Sequence, residues 1–532
     1  MTELLLGPLL RHVDATSATI WVETGQACEV EILGRTTPTF EVAGHFYALV
    51  VLTGLEPGSS ILYQVRLDGE PHWPPAGSTL PASRIRTLAQ GGEFRLVFGS
   101  CRKAREEDAA GPDALIAYAR RMTTLDEREW PESLLLLGDQ VYADETTAQT
   151  QEWIARRRDV EQGPGAEVAD FEEYTHLYRE TWSTPLLRWF MSTVPTSMIF
   201  DDHDVCDDWN TSRSWREDMA RTPWWPERIR GGLVSYWVYQ HLGNLGPAEL
   251  AEDALFAEVT TSGRDNESLL RDFADRADAE ADGAKGTRWS YRRDFGPVRL
   301  LVIDSRAGRI LAGPVRSMVG EAEFAWISDQ AEGDYEHLLI GTTLPWLMPT
   351  ALSHLQSINE RACDRGGRRG RFAEWLRRAL DLEHWPAFRA SFDQLAGLIR
   401  EVADRGSRSV SVLSGDVHHA YAARARYPDQ PAAPVHQLVC SPLHNSVPRI
   451  MTLVFRAGWW APLAALSRWW ARRAGLTLLP VAWDRIAGPF FGNAVMTIDV
   501  DGETASATLE QSRETGLVAM EPFTLSTPTR ED

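Results

Sequence analysis

Asp201-Asp202-His203-Asp204 sets three carboxylates around one imidazole, and like charges that close repel unless a cation or hydrogen-bond donors compensate. With Asp207 and Asp208 close behind, the same tetrad is also the composition of a solvated acidic loop. Gly415-Asp416-Val417-His418 is a second group. In extended backbone, residues i and i+2 share a face, so Asp416 and His418 point one way and His419 the other. An Asp beside a His suits a borderline metal ion, and His419 then reads as a support or a structural residue. Asp139 follows Gly138, which lets a strand end turn closely and aim a carboxylate into a crevice. Cys101 is by type a small buried hydrophobe. Only its place at the end of a strand ties it to a cleft.

Each group follows a short apolar run. Phe94 to Phe98 leads to Gly99-Ser100-Cys101, Leu134 to Leu137 to Gly138-Asp139, and Met198 to Phe200 to the acidic tetrad. Leu300 to Ile303 leads to Asp304-Ser305-Arg306, and Val410 to Leu413 to Ser414-Gly415-Asp416. Buried strands read as continuous apolar runs, and open α/β sheets bind ligands beyond the carboxyl ends of their strands. Five such ends therefore predict one shared site in an α/β body.

The first ~90 residues alternate apolar and polar positions as half-buried strands do. A Pro57-Gly58 turn ahead of Tyr63 to Leu67 resembles the fibronectin type III sandwich. A boundary near residues 88–93 separates the two patterns. Asp501-Gly502 between two alternating runs predicts a C-terminal hairpin. Residues 145–195 and 210–290 are long insertions without a readable motif. Residues 455–473 put Trp, Leu and four Arg on what reads as one amphipathic helix. It is either an interfacial helix or lid, or a helix packed on the body with its arginines in salt bridges. Residues 275–285 read as a solvated helix or insertion.

Composition narrows the function. The chain has 532 residues, with Lys+Arg 54 against Asp+Glu 75, a net charge of −21. That argues against non-specific nucleic-acid binding, which needs clustered basic charge, while a bound metal can still draw in a small anionic substrate. Five scattered cysteines do not form a disulfide framework. No secretory signal is visible, so a cytoplasmic location is the expectation. In the one membrane-like stretch, 451–479, the longest uncharged run is 11 residues, too short to span.

Taken together and in order, Phe98-Gly-Ser-Cys101, Gly138-Asp139-Gln-Val-Tyr142, Phe200-Asp-Asp-His203-Asp and Leu413-Ser-Gly-Asp416-Val-His418 resemble the PhoD-like alkaline phosphatases. This is a branch of the calcineurin-like metallophosphoesterases, and Asp304-Ser-Arg306 fits the same pattern. The resemblance runs from about residue 94 to 510. It implies an α/β fold, a calcineurin-like metallophosphoesterase β-sandwich flanked by helices. A small fibronectin type III-like all-β domain precedes it, giving 1–90 and 91–532 as the two domains. It implies a hydrolase of phosphoric esters, monoester or diester, acting on a small phosphorylated substrate through two metals and metal-activated water.

By the same resemblance Cys101 binds one metal as thiolate, Asp139 bridges two, and Tyr142 adds a phenolate. Asp202, Asp416 and His418 complete the metal set, and His203 is the catalytic acid. Arg306 is a candidate to steady the phosphoryl oxygens, with Arg102 and Lys103 weaker ones. The implied ions are Fe3+ and Ca2+, with Mn2+ or Zn2+ as alternatives. Carboxylates and a phenolate are hard ligands that favour such oxygen-seeking ions over a zinc tetrahedron. One departure stands out. The superfamily's isolated histidine between the last two motifs has no clear match, since His337 and His354 read as structural. Two other readings remain: a phospholipid-directed phosphodiesterase with 455–473 as a peripheral contact surface, and a non-catalytic metal-binding interaction protein.

Overall fold

The computed structural model describes residues 2–526 except 90, 92, 105–110, 284–285, 313–315 and 448, so part of the expected 88–93 boundary and the end of the 275–285 segment lie outside the described residues. Between Leu4 and Arg86 the alternating runs form strands whose one face is apolar. Leu4–Val13, Ser17–Thr24, His45–Thr53 and Phe40–Val42 make one antiparallel sheet. Arg35–Pro38, Glu29–Ile32, Val65–Leu67 and Glu70–Trp73 make the other. Ile20, Val22, Val30, Val50, Val65 and Ile85 fill the space between them.

Because side chains alternate across a strand, Trp21 faces away from that core and joins the core of the larger body, with its ring 5.2 Å from Tyr239. Arg11 crosses the same boundary. Its Nε donates to Thr196 O (2.9 Å), and its two terminal nitrogens donate to Tyr239 O (2.8 Å) and Gln240 O (2.7 Å). Burial of this guanidinium pulls it down to about 10. The sandwich is thereby locked onto the body beside the strand that leads to the acidic tetrad.

The body holds two seven-stranded sheets. In the first, Thr196–Ile199, Ser133–Leu137 and Glu93–Gly99 run parallel, and Glu93–Gly99 pairs antiparallel with Ala494–Asp501. The latter forms the C-terminal hairpin with Thr504–Arg513. In the second, Val298–Ile303, His337–Thr342, Ser409–Ser414 and Val435–Val439 are consecutive parallel neighbours. One face of the second sheet (Leu300, Val302, Leu339, Leu413) shares a core with Leu135 and Leu137 of the first. Its other face (Leu301, Ile303, Ile340, Val412) packs on helix Arg389–Asp404 through Leu395 and Ile399. The strands buried on both faces are the unbroken apolar runs of the sequence. The result is a sandwich with helices outside it, and the carboxyl ends of both sheets' central strands open on one side.

Two expectations are corrected. Residues 455–473 are not one helix but parts of two, Arg449–Gly458 and Ala461–Arg473, bent by 73°. Pro462 lacks an amide hydrogen and its ring collides with the carbonyl four residues back, so the first helix cannot continue. Nor do Arg456, Arg468, Arg472 and Arg473 sit in salt bridges: all four are exposed, and among the described residues none forms an ion pair. No single described helix is long and apolar enough to cross a membrane. Helix Glu267–Asp278, which holds the start of the 275–285 segment, is docked on the body through Leu270, Ala274 and Ala277.

Candidate metal centre

The segments that follow five strands meet where the two sheets' open ends face each other. Cys101 N donates to Gly138 O (3.2 Å) and Gly415 N to Thr343 O (2.9 Å), so the turns are stitched by backbone bonds. Close approach demands glycine at two of them. A Cβ on Gly415 would lie 1.9 Å from Ser100 Oγ, and one on Gly138, whose φ is +93°, would lie 2.6 Å from Asp201 Cβ. Asp204 braces the first sheet's ends: one oxygen accepts from both Asp139 N and Asp201 N, each 2.9 Å. Its other oxygen accepts from Gln240 Nε2 at 3.1 Å. Gln240 is aimed inward by a π-helical turn, Tyr236–His241, a distortion common at functional sites. Burial holds the Asp204 carboxyl up to about 7.

Four candidate ligands adopt left-handed backbone: Cys101 (φ 56°), Asp139 (52°), Asp416 (64°) and His418 (49°). Such residues cost about 1–3 kcal/mol each and cluster where function requires an unusual aim. Three triplets of donor atoms lie within 4.8 Å of one another: Cys101, Asp139 and His418; Asp139, Asp202 and His203; Asp201, Asp202 and Asp416. Asp139 and Asp202 each belong to two. Tyr142 Oη lies 3.5 Å from Asp139 Oδ2 and accepts from Asn445 Nδ2 at 3.0 Å. Every one of Cys101, Asp139, Tyr142, Asp202, His203, Asp416 and His418 is in this one place.

The donors fit a cation. Asp139 is 1% exposed and its Oδ1 has no hydrogen-bond partner; Asp201 Oδ2 is orphaned likewise. Burial pushes the Asp139 carboxyl well above the usual range, and Asp202, Asp201 and Asp204 push the same way against the pull of His203. Burial and the charges of Asp139 and Asp416 likewise push the Cys101 thiol well up. Acids this close and this dry need either protons or a nearby positive charge. A thiol, a phenol, carboxylates and an imidazole (His418, drawn to about 4 by burial) form the donor set.

His203 stands at the edge, 4.6 Å from the Tyr142 ring, centroid to centroid. Its Nδ1–H donates to both oxygens of Asp144, each 2.9 Å away. Burial alone would lower this imidazole, but Asp144, then Asp202 and Asp139, raise it well above its ordinary value. As the acid that the resemblance implies, His203 would work only while protonated, and the rate would fall as pH climbs through that raised value. Asp144→Asn removes the main cause of the rise. The alkaline fall-off of kcat is then expected about one unit lower, measured as a pH–rate profile of the variant against the native chain.

Arg306 is not where it can reach a phosphoryl group. It is fully buried, with Nε 2.6 Å from Asp201 Oδ1, one terminal nitrogen 2.6 Å from Glu383 Oε2 and the other 3.6 Å from Asp202 Oδ1. The fork clamps the acidic tetrad to the second sheet, so the residue is a positioning group. Arg102 is likewise occupied, on Asp113 and Thr181 O, and Lys103 pairs with Glu145. His337 bonds Ser409 Oγ on the neighbouring strand and Gly502 O in the turn of the C-terminal hairpin. His419 stacks on Phe455 at 4.2 Å and donates to Val417 O, a structural role.

Four contributors escaped sequence reasoning: Asp144, Asp204 as a brace, Glu383 and His384. His384 Nε2 lies 3.1 Å from Asp416 Oδ2, and the bond holds that carboxyl below its usual range against burial. It lies in a short linker, Leu382-Glu383-His384-Trp385-Pro386, between helices. No apolar strand precedes it, so strand-end reasoning passes it by; the acid–histidine pair ahead of Trp-Pro was the signal available. Above the donors opens a cavity of ≈ 1060 Å³. Asp139, Asp202, His203, Asp416 and His418 line its polar end, and Leu352, Phe372, Leu376, Met451 and Val454 line an apolar wall.

A family model for PhoD-like phosphatase matches residues 96–457, and one for a domain of unknown function (DUF7800) matches residues 1–85. A solved structure described as "Structure of PhoD" is similar to the chain with a TM-score of 0.60 at 13% identity, covering 99% of this chain and 93% of that one. No curated protein matches.

Proposed function

As the chain belongs to the PhoD-like phosphatase family, we propose that it is a phosphoric ester hydrolase that uses two metal ions, with residues 1–90 as a docked β-sandwich and 91–532 as the catalytic unit. The observation that carries this reading is the overlap of the donor triplets at Asp139. One ion would be held by Cys101, Asp139, Tyr142 and His418, and the other by Asp139 and Asp202 with Asp416 from the third triplet, His203 being kept for proton transfer. When bound, such a pair supplies Lewis acidity for the phosphoryl oxygens and lowers the pKa of water at the site.

The chain's own groups do the rest. His203 Nε2, turned to the cleft because Asp144 holds Nδ1, donates the proton that the leaving oxygen needs. Arg306 and Glu383 keep Asp201 and Asp202 from spreading apart, and His384 keeps Asp416 in place. The apolar wall sheds water from the bound ester and strengthens the charge interactions within. The carboxylates and the phenol favour oxygen-seeking ions over a zinc tetrahedron; Fe3+ with Ca2+ is the pair we take, with Mn2+ or Zn2+ as the alternatives.

Purified protein should hydrolyse p-nitrophenyl phosphate or bis-p-nitrophenyl phosphate and lose that activity to a chelator. Which of the two esters turns over faster separates monoesterase from diesterase. Metal that is present without turnover of either ester would overturn the reading in favour of an interaction protein. Elemental analysis reads the ions directly. A visible band that disappears in Tyr142→Phe marks a phenolate on ferric iron, and a colourless active enzyme requires another metal.

A further inference from the structure

The apolar wall of the cavity does not end at its mouth. On helices Arg449–Gly458 and Ala461–Arg473, Ile450 (65%), Leu453 (61%) and Trp460 (63%) are exposed, as are Trp469 and Trp470. Opposite them, helix Gly367–Ala379 exposes Phe372 (64%) and Trp375 (61%), their rings stacked at 5.7 Å. Phe372 and Leu376 of one element and Met451 and Val454 of the other line the same cavity as Asp139 and His203. Exposed apolar surface this continuous marks a contact site on a folded protein. Its base is firmly seated, with Phe455 on His419 and Trp459 edge-on to Tyr421 at 5.2 Å.

The charge of this rim opposes that of the molecule. Residues 446–483 contain five arginines and no acid, and residues 365–378 six arginines and one glutamate, in a chain of net charge −21. Arg368, Arg369 and Arg371 are exposed together with Arg456, Arg468, Arg472 and Arg473. Among the described residues none of the seven forms an ion pair. Indole and aliphatic side chains interleaved with unpaired arginine are the chemistry of a helix lying at a lipid surface. The rings sit at headgroup depth and the guanidinium groups meet anionic heads. A second copy of the chain is a poor occupant, because a two-fold interface would face arginine with arginine.

We propose that this rim docks the protein onto an anionic phospholipid bilayer, with the cavity opening at the membrane surface. The inference goes beyond the hydrolytic reading and does not rest on it. The test uses the full chain with vesicles of phosphatidylcholine, alone or with about 30% phosphatidylserine, and measures sedimentation with the vesicles. Binding to the anionic vesicles only, weakened by about 0.5 M salt, is expected.

Two variants at residues outside the cavity, Leu453→Ser/Trp460→Ser/Trp469→Ser and Arg468→Glu/Arg472→Glu/Arg473→Glu, should each lower vesicle binding about tenfold or more. Hydrolysis of the soluble nitrophenyl ester and the melting midpoint should hold in both. The proposal is overturned by absence of vesicle binding or by binding that both variants keep. Resistance to an alkaline wash would mean a spanning pair instead. A dimer dispersed by the first variant would mean that a second copy covers the rim. A chain that binds vesicles yet hydrolyses no ester would sink the hydrolase reading and leave the docking surface standing.

Discussion

His203→Ala is expected to lower kcat about 10³-fold for an alkyl phosphate ester while metal content stays unchanged. The imidazole belongs to a donor triplet with Asp139 and Asp202, yet its Nδ1 is committed to Asp144, an arrangement that suits a donor of protons. The dependence on leaving group distinguishes the two roles. Nitrophenolate departs without help, so the loss for p-nitrophenyl phosphate should be nearer about tenfold. A uniform loss with both esters, or loss of metal, would show that His203 holds an ion. Because the variant leaves the buried Asp144 carboxylate with the Asp207 amide but without its imidazole partner, the double variant His203→Ala/Asp144→Asn serves as the folding control. It should recover stability but not turnover.

Asp139→Asn should cost more. Asp139 alone joins the Cys101–His418 triplet to the Asp202–His203 triplet, so removing its charge weakens both ions together. Turnover is expected to fall by at least about 10³-fold, with both metals depleted by elemental analysis. Changes at Asp416 or His418 should deplete one ion preferentially. Folding is not the cause of the loss. Asparagine tolerates the left-handed backbone found here, φ 52°, and the brace from Asp204 acts on the main-chain amide. The metal-free variant should melt no lower than the metal-free native chain, because an unpaired buried carboxylate has been removed. Retention of either ion at full occupancy would mean that Asp139 is not shared.

The strands were legible because burial on both faces writes unbroken apolar runs, and the loops after them because acids and histidines are otherwise rare beside such runs. Leu134 to Leu137 ahead of Gly138-Asp139 and Val410 to Leu413 ahead of Gly415-Asp416 illustrate both signals. Arg306 shows where that reasoning stops. A strand-end arginine beside candidate metal ligands reads as a substrate contact, but this guanidinium is fully buried, with Nε on Asp201 and one terminal nitrogen on Glu383. Glu383 comes from a linker 77 residues later in the chain, and nothing local announces it.

His384 was invisible for the same reason, acting on Asp416 from a loop with no strand before it; Asp144 does follow the strand Ser133–Leu137, but its partner His203 comes from the next strand's end, 59 residues on. The Trp- and Arg-rich segment was visible as composition but not as geometry. One proline decided that it would be two bent helices, and their packing left Arg456, Arg468, Arg472 and Arg473 without an ion pair among the described residues.

The residues alone determined which strand ends would carry acids, a thiol and histidines, the order in which the strands deliver them, and a resemblance that named the reaction class. Those properties are local or additive along the chain, as periodicity, charge and motif are. Only the folded arrangement decided which donors come within reach of one another, which arginine is spent on structure, which histidine steadies a carboxylate, and that arginine and exposed apolar side chains border the cleft. Such outcomes depend on distances between residues tens to hundreds of positions apart, and these are set when two sheets close on each other.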